Sequence, residues 1–193
     1  MISDTKISSP KIFGIGLSKT GTTSLARALH KLGYLTKDFP SLNYKPHRLI
    51  GINEEQLSYY TAFTDVSVVP FYKELDQRFP NSKFIYTIRD QEEWLQSCNH
   101  YPRFNRSIFN LPLKVIKLRQ EIYGTVKFDQ AKFIAAYKKH HEDVVTYFKD
   151  RPEDLLIINI CKGEKWQPLC QFLQQPLPEE SFPFANVRAN GYV

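Results

Sequence analysis

The chain has 193 residues, 42% of them hydrophobic and 14% aromatic, and a formal charge of +6. That length supports one domain on a single core, and no stretch approaches the roughly 18 apolar residues of a membrane span. Cys98, Cys161 and Cys170 show neither metal-site spacing nor the even count of a disulfide framework, and the polar start MISDTKISSP has no signal-peptide core, so a cytoplasmic protein without a metal is expected.

In chain order, residues 11–16 read as a strand and 21–33 as a helix closed by Gly33. Residues 34–52, with Pro40, Pro46 and Gly51, read as irregular. A short strand is expected at 61–66, then a helix with Pro70 in its first turn and Phe71, Leu75 and Phe79 on its apolar face. Residues 83–88 form a strand of the buried type, because FIYTI is apolar and β-branched or aromatic throughout, and 90–98 a helix. The basic, aromatic stretch 99–130 predicts loops and a helix after Pro112, followed by an amphipathic helix over 128–148. DLLIINI at 154–160 reads as another buried strand, and 166–173 as a short helix before a Pro-rich tail. Strands alternating with helices imply a parallel sheet, whose ligands bind beyond the strands' carboxyl ends.

The segment IFGIGLSKTGTTSL at 12–25 carries the most chemistry. Strand, glycine-containing turn and helix N-terminus together form a phosphate cradle, because free N–H groups and the helix dipole both favour an anion there. Gly16 and Gly21 have the spacing of a Walker A loop, but Thr22 stands where that motif needs Lys, and Lys19 comes two residues before Gly21 instead. The positive net charge suits an anionic ligand. Its even spread, without an Arg-rich tract or a nucleic-acid module, favours a small anion over nucleic acid.

KTGTTSL resembles the 5′-phosphosulfate loop, K-[ST]-G-T-T, of the sulfotransferases that use 3′-phosphoadenosine-5′-phosphosulfate. KFIYTIRDQEEWLQSC at 83–98 resembles their 3′-phosphate segment, in which a strand-end Arg is followed eight residues later by Ser; here these are Arg89 and Ser97. A weaker likeness lies in Lys162-Gly163-Glu164-Lys165-Trp166, PLCQFL and ESFPFANV, with Cys161 where an Arg commonly precedes the Lys.

The resemblance implies an α/β fold, a P-loop-type three-layer sandwich with a parallel central sheet flanked by helices. Residues 1–193 would be one sulfotransferase-like domain, with 99–150 as a helical acceptor-side or lid excursion. Lys19, Thr20, Gly21, Thr22, Thr23 and Ser24 would hold the 5′-phosphate, with Lys19 also meeting the leaving oxygen, and Ser24 reads equally as a helix-start residue. Arg89, Ser97 and Lys162 would hold the 3′-phosphate. Trp94 reads as core rather than an adenine stacker.

Family members with a strand histidine as general base carry it a little over twenty residues before the Arg. Here that strand carries Asp65, twenty-four residues before Arg89, and no His. Asp65 is the candidate base, with Asp38 and His47 as rivals and a helix-opening loop aspartate as the plain alternative. His140 and His141 read as a helix face, with at most one turned inward.

The donor would be 3′-phosphoadenosine-5′-phosphosulfate, and the acceptor a small molecule or glycan with a hydroxyl or amine. Aromatic residues Tyr44, Tyr59, Tyr60, Tyr101, Phe104 and Phe109 fit an apolar acceptor and core packing equally. A P-loop kinase or NTPase with Asp90 on magnesium, or an inactive nucleotide-binding protein of the same fold, remain open at this stage.

Overall fold

Five short strands form the centre of the molecule, in a computed structural model that describes residues 10–45, 48–162 and 165–185. The chain runs β1 (Ile12–Gly14), α1 (Thr22–Lys31), β2 (Thr36–Asp38), β3 (Leu42–Lys45), β4 (Arg48–Ile52), α2 (Glu54–Tyr59) and β5 (Ala62–Thr64). It continues through α3 (Tyr72–Arg78), β6 (Lys83–Thr87), α4 (Gln91–Asn99), α5 (Leu113–Tyr123), α6 (Gln130–Phe148), β7 (Leu155–Ile158) and α7 (Trp166–Leu173). One sheet has the order β2-β5-β1-β6-β7, and every pairing in it is parallel. β3 and β4 make a separate antiparallel ribbon.

The period-two alternation of the strands divides the core into two layers. Phe13, Phe63, Phe84 and Tyr86 face the layer containing Leu75, Trp94, Phe133 and Phe148 from α3, α4 and α6. Ile12, Ala62, Ile85 and Ile158 face the other layer, built by α1 and α7 with Leu25, Leu29, Leu169 and Leu173. Phe13 sits in register with Phe63 on one side and Phe84 on the other, with ring centroids 5.8 and 5.4 Å away. Burying each such ring stabilises the fold by about 1.5–3 kcal/mol. The expected three-layer α/β sandwich is therefore present.

Two expectations need correction. Residues 34–52 are not irregular: they hold β2, β3 and β4. β2 exists through its partner β5, with Thr36, Lys37 and Asp38 in register with Ala62, Phe63 and Thr64; three residues with no apolar alternation carry no strand signal of their own. The strand after Asp154 is not buried throughout. β7 lies at the sheet edge with β6 as its one neighbour, so Ile157 is 42% exposed while Ile158 is buried. The apolar run suggests a buried strand; edge position is a property of topology, not of composition.

The chain leaves β1 towards β2 and β5 but leaves β6 towards β7, so the connections diverge between β1 and β6. Such a divergence opens a crevice at the carboxyl ends of the two strands. The glycine loop follows β1 there, and Arg89 follows β6.

Candidate functional site

Five of the candidate residues lie at or beyond the carboxyl ends of the five strands of the parallel sheet. Lys19 is in the loop after β1, Asp38 ends β2, Asp65 follows β5, Arg89 follows β6, and Lys162 follows β7. His47 lies outside the described residues, as do Gly163 and Glu164 of the Lys-Gly segment.

The loop after β1 is fastened from several sides. A Cβ on Gly16 would meet Thr87 Oγ1 at 1.8 Å and the Thr87 carbonyl at 2.8 Å, so only glycine lets β6 approach this closely. Thr20 Oγ1 donates to the Leu17 carbonyl at 2.7 Å and lies 2.7 Å from Thr87 Oγ1. Its hydroxyl thus points into the fold and ties the loop to β6. Trp94 Nε1 donates to the Ser18 carbonyl at 2.8 Å, and the Ser18 N–H donates to the Tyr123 hydroxyl at 3.2 Å. Trp94 is fully buried, with its ring 4.7 Å from that of Tyr137. Its place is in the core.

Lys19 and Gly21 adopt left-handed backbone conformations, with φ of 74° and 98°. These turns open the first turn of α1, which starts at Gly21 with no side-chain cap and no acidic residue. By contrast Asn53, Asp90 and Asp129 cap α2, α4 and α6 with their side chains. The leading N–H groups of α1 therefore face the loop without a built-in anion. Ser24 Oγ accepts the Ala185 N–H at 3.0 Å, so part of its role is to hold the C-terminal segment.

A cavity of about 630 Å³ opens at this point. Lys19, Gly21, Thr22, Thr23 and Ser24 line one side, and Asp38 and Asp65 another. Much of the remaining lining comes from residues 101–123, including Tyr101, Phe104, Leu118 and Tyr123. Of the six aromatic residues named from sequence, Tyr101 and Phe104 reach it, whereas Tyr44, Tyr59, Tyr60 and Phe109 do not. Lys19 Nζ sits 4.7 Å from the centre of the Tyr101 ring.

Asp65 has a left-handed backbone, φ 84°, and its Oδ1 accepts the Val66 N–H at 2.5 Å. Burial pushes its carboxyl up to about 6; the nearby Asp38 charge pushes the same way, while the Val66 hydrogen bond, Arg103 and Lys19 oppose it. Asp38 is held differently: its Oδ1 accepts the Thr64 hydroxyl at 2.8 Å. A carboxyl poised near neutrality inside a cavity suits proton abstraction.

Arg89 is buried, with its side chain 5% exposed and Nε 3.6 Å from Glu93 Oε2. Lys162 Nζ lies 2.7 Å from the other oxygen of the same carboxylate. Glu93 thus bridges the two cations expected at one phosphate, and its hydrogen bond with Lys162 holds its carboxyl below the usual range. The Tyr137 hydroxyl donates to the Arg89 carbonyl, bracing the start of this turn from α6. Ser97 lies half-buried on α4, two turns beyond Arg89.

His140 turns inward and His141 does not. His140 is 8% exposed and its Nε2 lies 2.8 Å from the Ile15 carbonyl; burial lowers its pKa, so it is a neutral strut between α6 and β1. The sequence reading missed Glu93, Tyr123, Arg103 and Arg119. Glu93 was legible as the residue one helical turn after Arg89. Val115, Leu118, Arg119 and Tyr123 share one helical face by spacing, and all four line the cavity.

Comparison with known proteins bears on this arrangement. The family described as the sulfotransferase domain matches residues 11–190. The Ava biosynthesis cluster protein M of Aspergillus versicolor is 24% identical over 208 residues, spanning 90% of this chain and 79% of that protein. The match runs through the glycine loop, all five strand ends and the cavity wall, and the chain belongs to the sulfotransferase-domain family.

Proposed function

We propose that the protein transfers a sulfuryl group from 3′-phosphoadenosine-5′-phosphosulfate to a hydroxyl or amine of a small-molecule or glycan acceptor. The observation that carries this reading is that Lys19 and Asp65 line one cavity at the uncapped start of α1. The family supports a sulfotransferase-type activity; the donor and the residue roles are our reading. The relative's name places it in a biosynthesis cluster, which favours a small-molecule acceptor.

The residues present fit a donor with phosphates at both ends of its ribose. The first N–H groups of α1, with Gly21, Thr22, Thr23 and Lys19, would hold the 5′-phosphate. Arg89, Lys162 and Ser97 would hold the 3′-phosphate, which competes with Glu93 for the two cations. Bound there, the donor supplies an activated sulfuryl group, whose bond to the 5′-phosphate oxygen breaks as the bond from sulfur to the acceptor forms.

Asp65 would take the proton from the acceptor as that bond forms. Lys19 would neutralise charge gathering on the phosphate oxygen left behind, an interaction strongest in the transition state. The surrounding walls exclude water and fix orientation, which dominate transfers of this in-line type.

Asp90, the magnesium candidate of the kinase reading, caps α4 by accepting from Glu92 N–H at 3.0 Å and Glu93 N–H at 3.1 Å. That engagement favours the sulfuryl-transfer reading. Incubation with sulfur-labelled donor and a panel of phenols, alcohols and amines tests it. Label should appear in an acceptor; donor binding without transfer to any member would contradict an active enzyme.

A further inference from the structure

The cavity wall opposite the glycine loop carries a charge pattern that sulfuryl transfer alone does not require. Arg103, Arg106 and Arg119 all line it. They come from the 101–123 stretch, which contributes no carboxylate to the lining. Among the described residues none of the three forms an ion pair; Glu93 pairs with Arg89 and Lys162, Asp38 accepts the Thr64 hydroxyl, and Asp65 feels the Arg103 charge without pairing with it.

Two of the guanidiniums are held by aromatic rings. Arg119, 8% exposed, lies 4.9 Å from the Phe104 ring centre and donates from Nη1 to the Val126 carbonyl at 3.1 Å. Arg103 lies 5.9 Å from the centre of Tyr101, the ring that Lys19 also touches. Tyr101 thus contacts both the Arg103 and the Lys19 cation. Burying an arginine beside other arginines is unfavourable without a partner anion, and burial and the Arg103 charge both weaken the hold of Arg119 on its proton. The same cavity is also lined by apolar side chains, among them Phe39, Leu111, Pro112, Val115 and Leu118.

We infer that the acceptor is an organic anion: a molecule with a nucleophilic hydroxyl or amine at one end, an apolar body, and an oxyanion such as a carboxylate gripped by Arg103, Arg106 and Arg119. The inference rests on the sulfuryl-transfer reading for the identity of the nucleophilic end. The cavity volume of about 630 Å³ is within the size range of small-molecule sites. The basic wall also offsets the negative charge that such an acceptor brings towards an already anionic donor.

Matched probes test it: 3-(4-hydroxyphenyl)propanoate against its amide, and 10-hydroxydecanoate against its amide. Binding to the full chain saturated with adenosine 3′,5′-bisphosphate is read by calorimetry, and sulfuryl transfer is read separately. Each carboxylate should bind at least about tenfold more tightly than its amide. The exposed pair Arg103→Ala/Arg106→Ala should shrink that preference below about threefold while amide binding stays within about twofold. Raising salt from about 50 to about 500 mM should erode the preference in the unaltered chain, which needs no variant to fold.

Equal binding of acid and amide, retention of the preference in the double variant, or failure of both carboxylates to bind would overturn the inference. Transfer to amides as readily as to acids leaves sulfuryl transfer standing and removes the anion clamp. Arginine-dependent carboxylate binding with no transfer to any acceptor does the reverse.

Discussion

Lys19 and Asp65 share a backbone conformation that residues with a Cβ avoid: φ is 74° at one and 84° at the other. They follow the neighbouring strands β1 and β5, and both line the same cavity. Left-handed geometry costs about 1–2 kcal/mol for a residue of this kind. Strain at two residues, each just past a strand end and lining one cavity, is a feature of sites that hold their side chains in fixed positions.

If Asp65 is the base, as proposed, its carboxyl sets a pH profile. Held at about 6, it is protonated in acid and inactive as a base. kcat/KM should rise with pH through a midpoint near 6 and level off above it. Asp65→Asn should lower kcat by roughly 10²–10⁴-fold and abolish that limb; asparagine tolerates the left-handed backbone and keeps an oxygen for the Val66 N–H. A loss below about tenfold would move the base to Asp38 or His47.

The same substitution should stabilise the fold. The folded-state pKa of Asp65 is raised from 3.8 to about 6, so the native state binds the extra proton between those values. Stability from this group is complete below 3.8 and is lost as pH rises through about 6. At pH 8 the charged carboxylate is a net cost, and Asp65→Asn should raise the unfolding free energy by about 1–3 kcal/mol in urea titrations. The gain should vanish when the titration is repeated well below the midpoint.

Lys19 and Arg89 divide the work. Lys19→Ala should cut kcat at saturating donor far more than Arg89→Ala, whose main effect should be on donor KM. The contrast follows from the proposed roles: Lys19 would meet charge that develops during transfer, whereas Arg89 would meet a phosphate that does not react. Equal losses of kcat would refute that division.

Glu93 bridges Arg89 and Lys162, the two cations that would hold the 3′-phosphate of the proposed donor. Glu93→Gln removes the competing charge and should tighten adenosine 3′,5′-bisphosphate roughly two- to fivefold in calorimetry. Weaker binding would show instead that the carboxylate positions the two cations.

Gly16→Ala should loosen the loop, because its Cβ would meet both the side chain and the carbonyl of Thr87. A cost on the order of 1–3 kcal/mol is expected in thermal or urea unfolding. Adding Thr87→Ala should recover part of it, since the hydroxyl contact goes and the carbonyl contact stays.

The strands β1 and β6, the glycine loop, α7 and the Arg89–Ser97 spacing were legible because each is written in contiguous residues. β2 was not, since its three half-buried residues become a strand only beside β5. β7 was read as interior from LLII, but an apolar run does not state how many neighbours it has. Asp65 was visible as the carboxylate of the expected 61–66 strand, although β5 ends at Thr64 just before it; residues 101–123 line the same cavity, and burial raises its pKa. The arginines of that wall were visible only as a basic stretch. Their convergence depends on where α5 lies against the loops.

Nucleotide preference tests the central claim most directly. Thermal unfolding is followed with adenosine 3′,5′-bisphosphate, with adenosine 5′-monophosphate, and with ATP plus magnesium, each at the same concentration. A loop and a second phosphate site serving a sulfuryl donor predict the largest upward shift with the 3′,5′-bisphosphate, little shift with the monophosphate, and loss of the difference in Arg89→Ala. Stabilisation by ATP and magnesium with none by the bisphosphate would contradict the account.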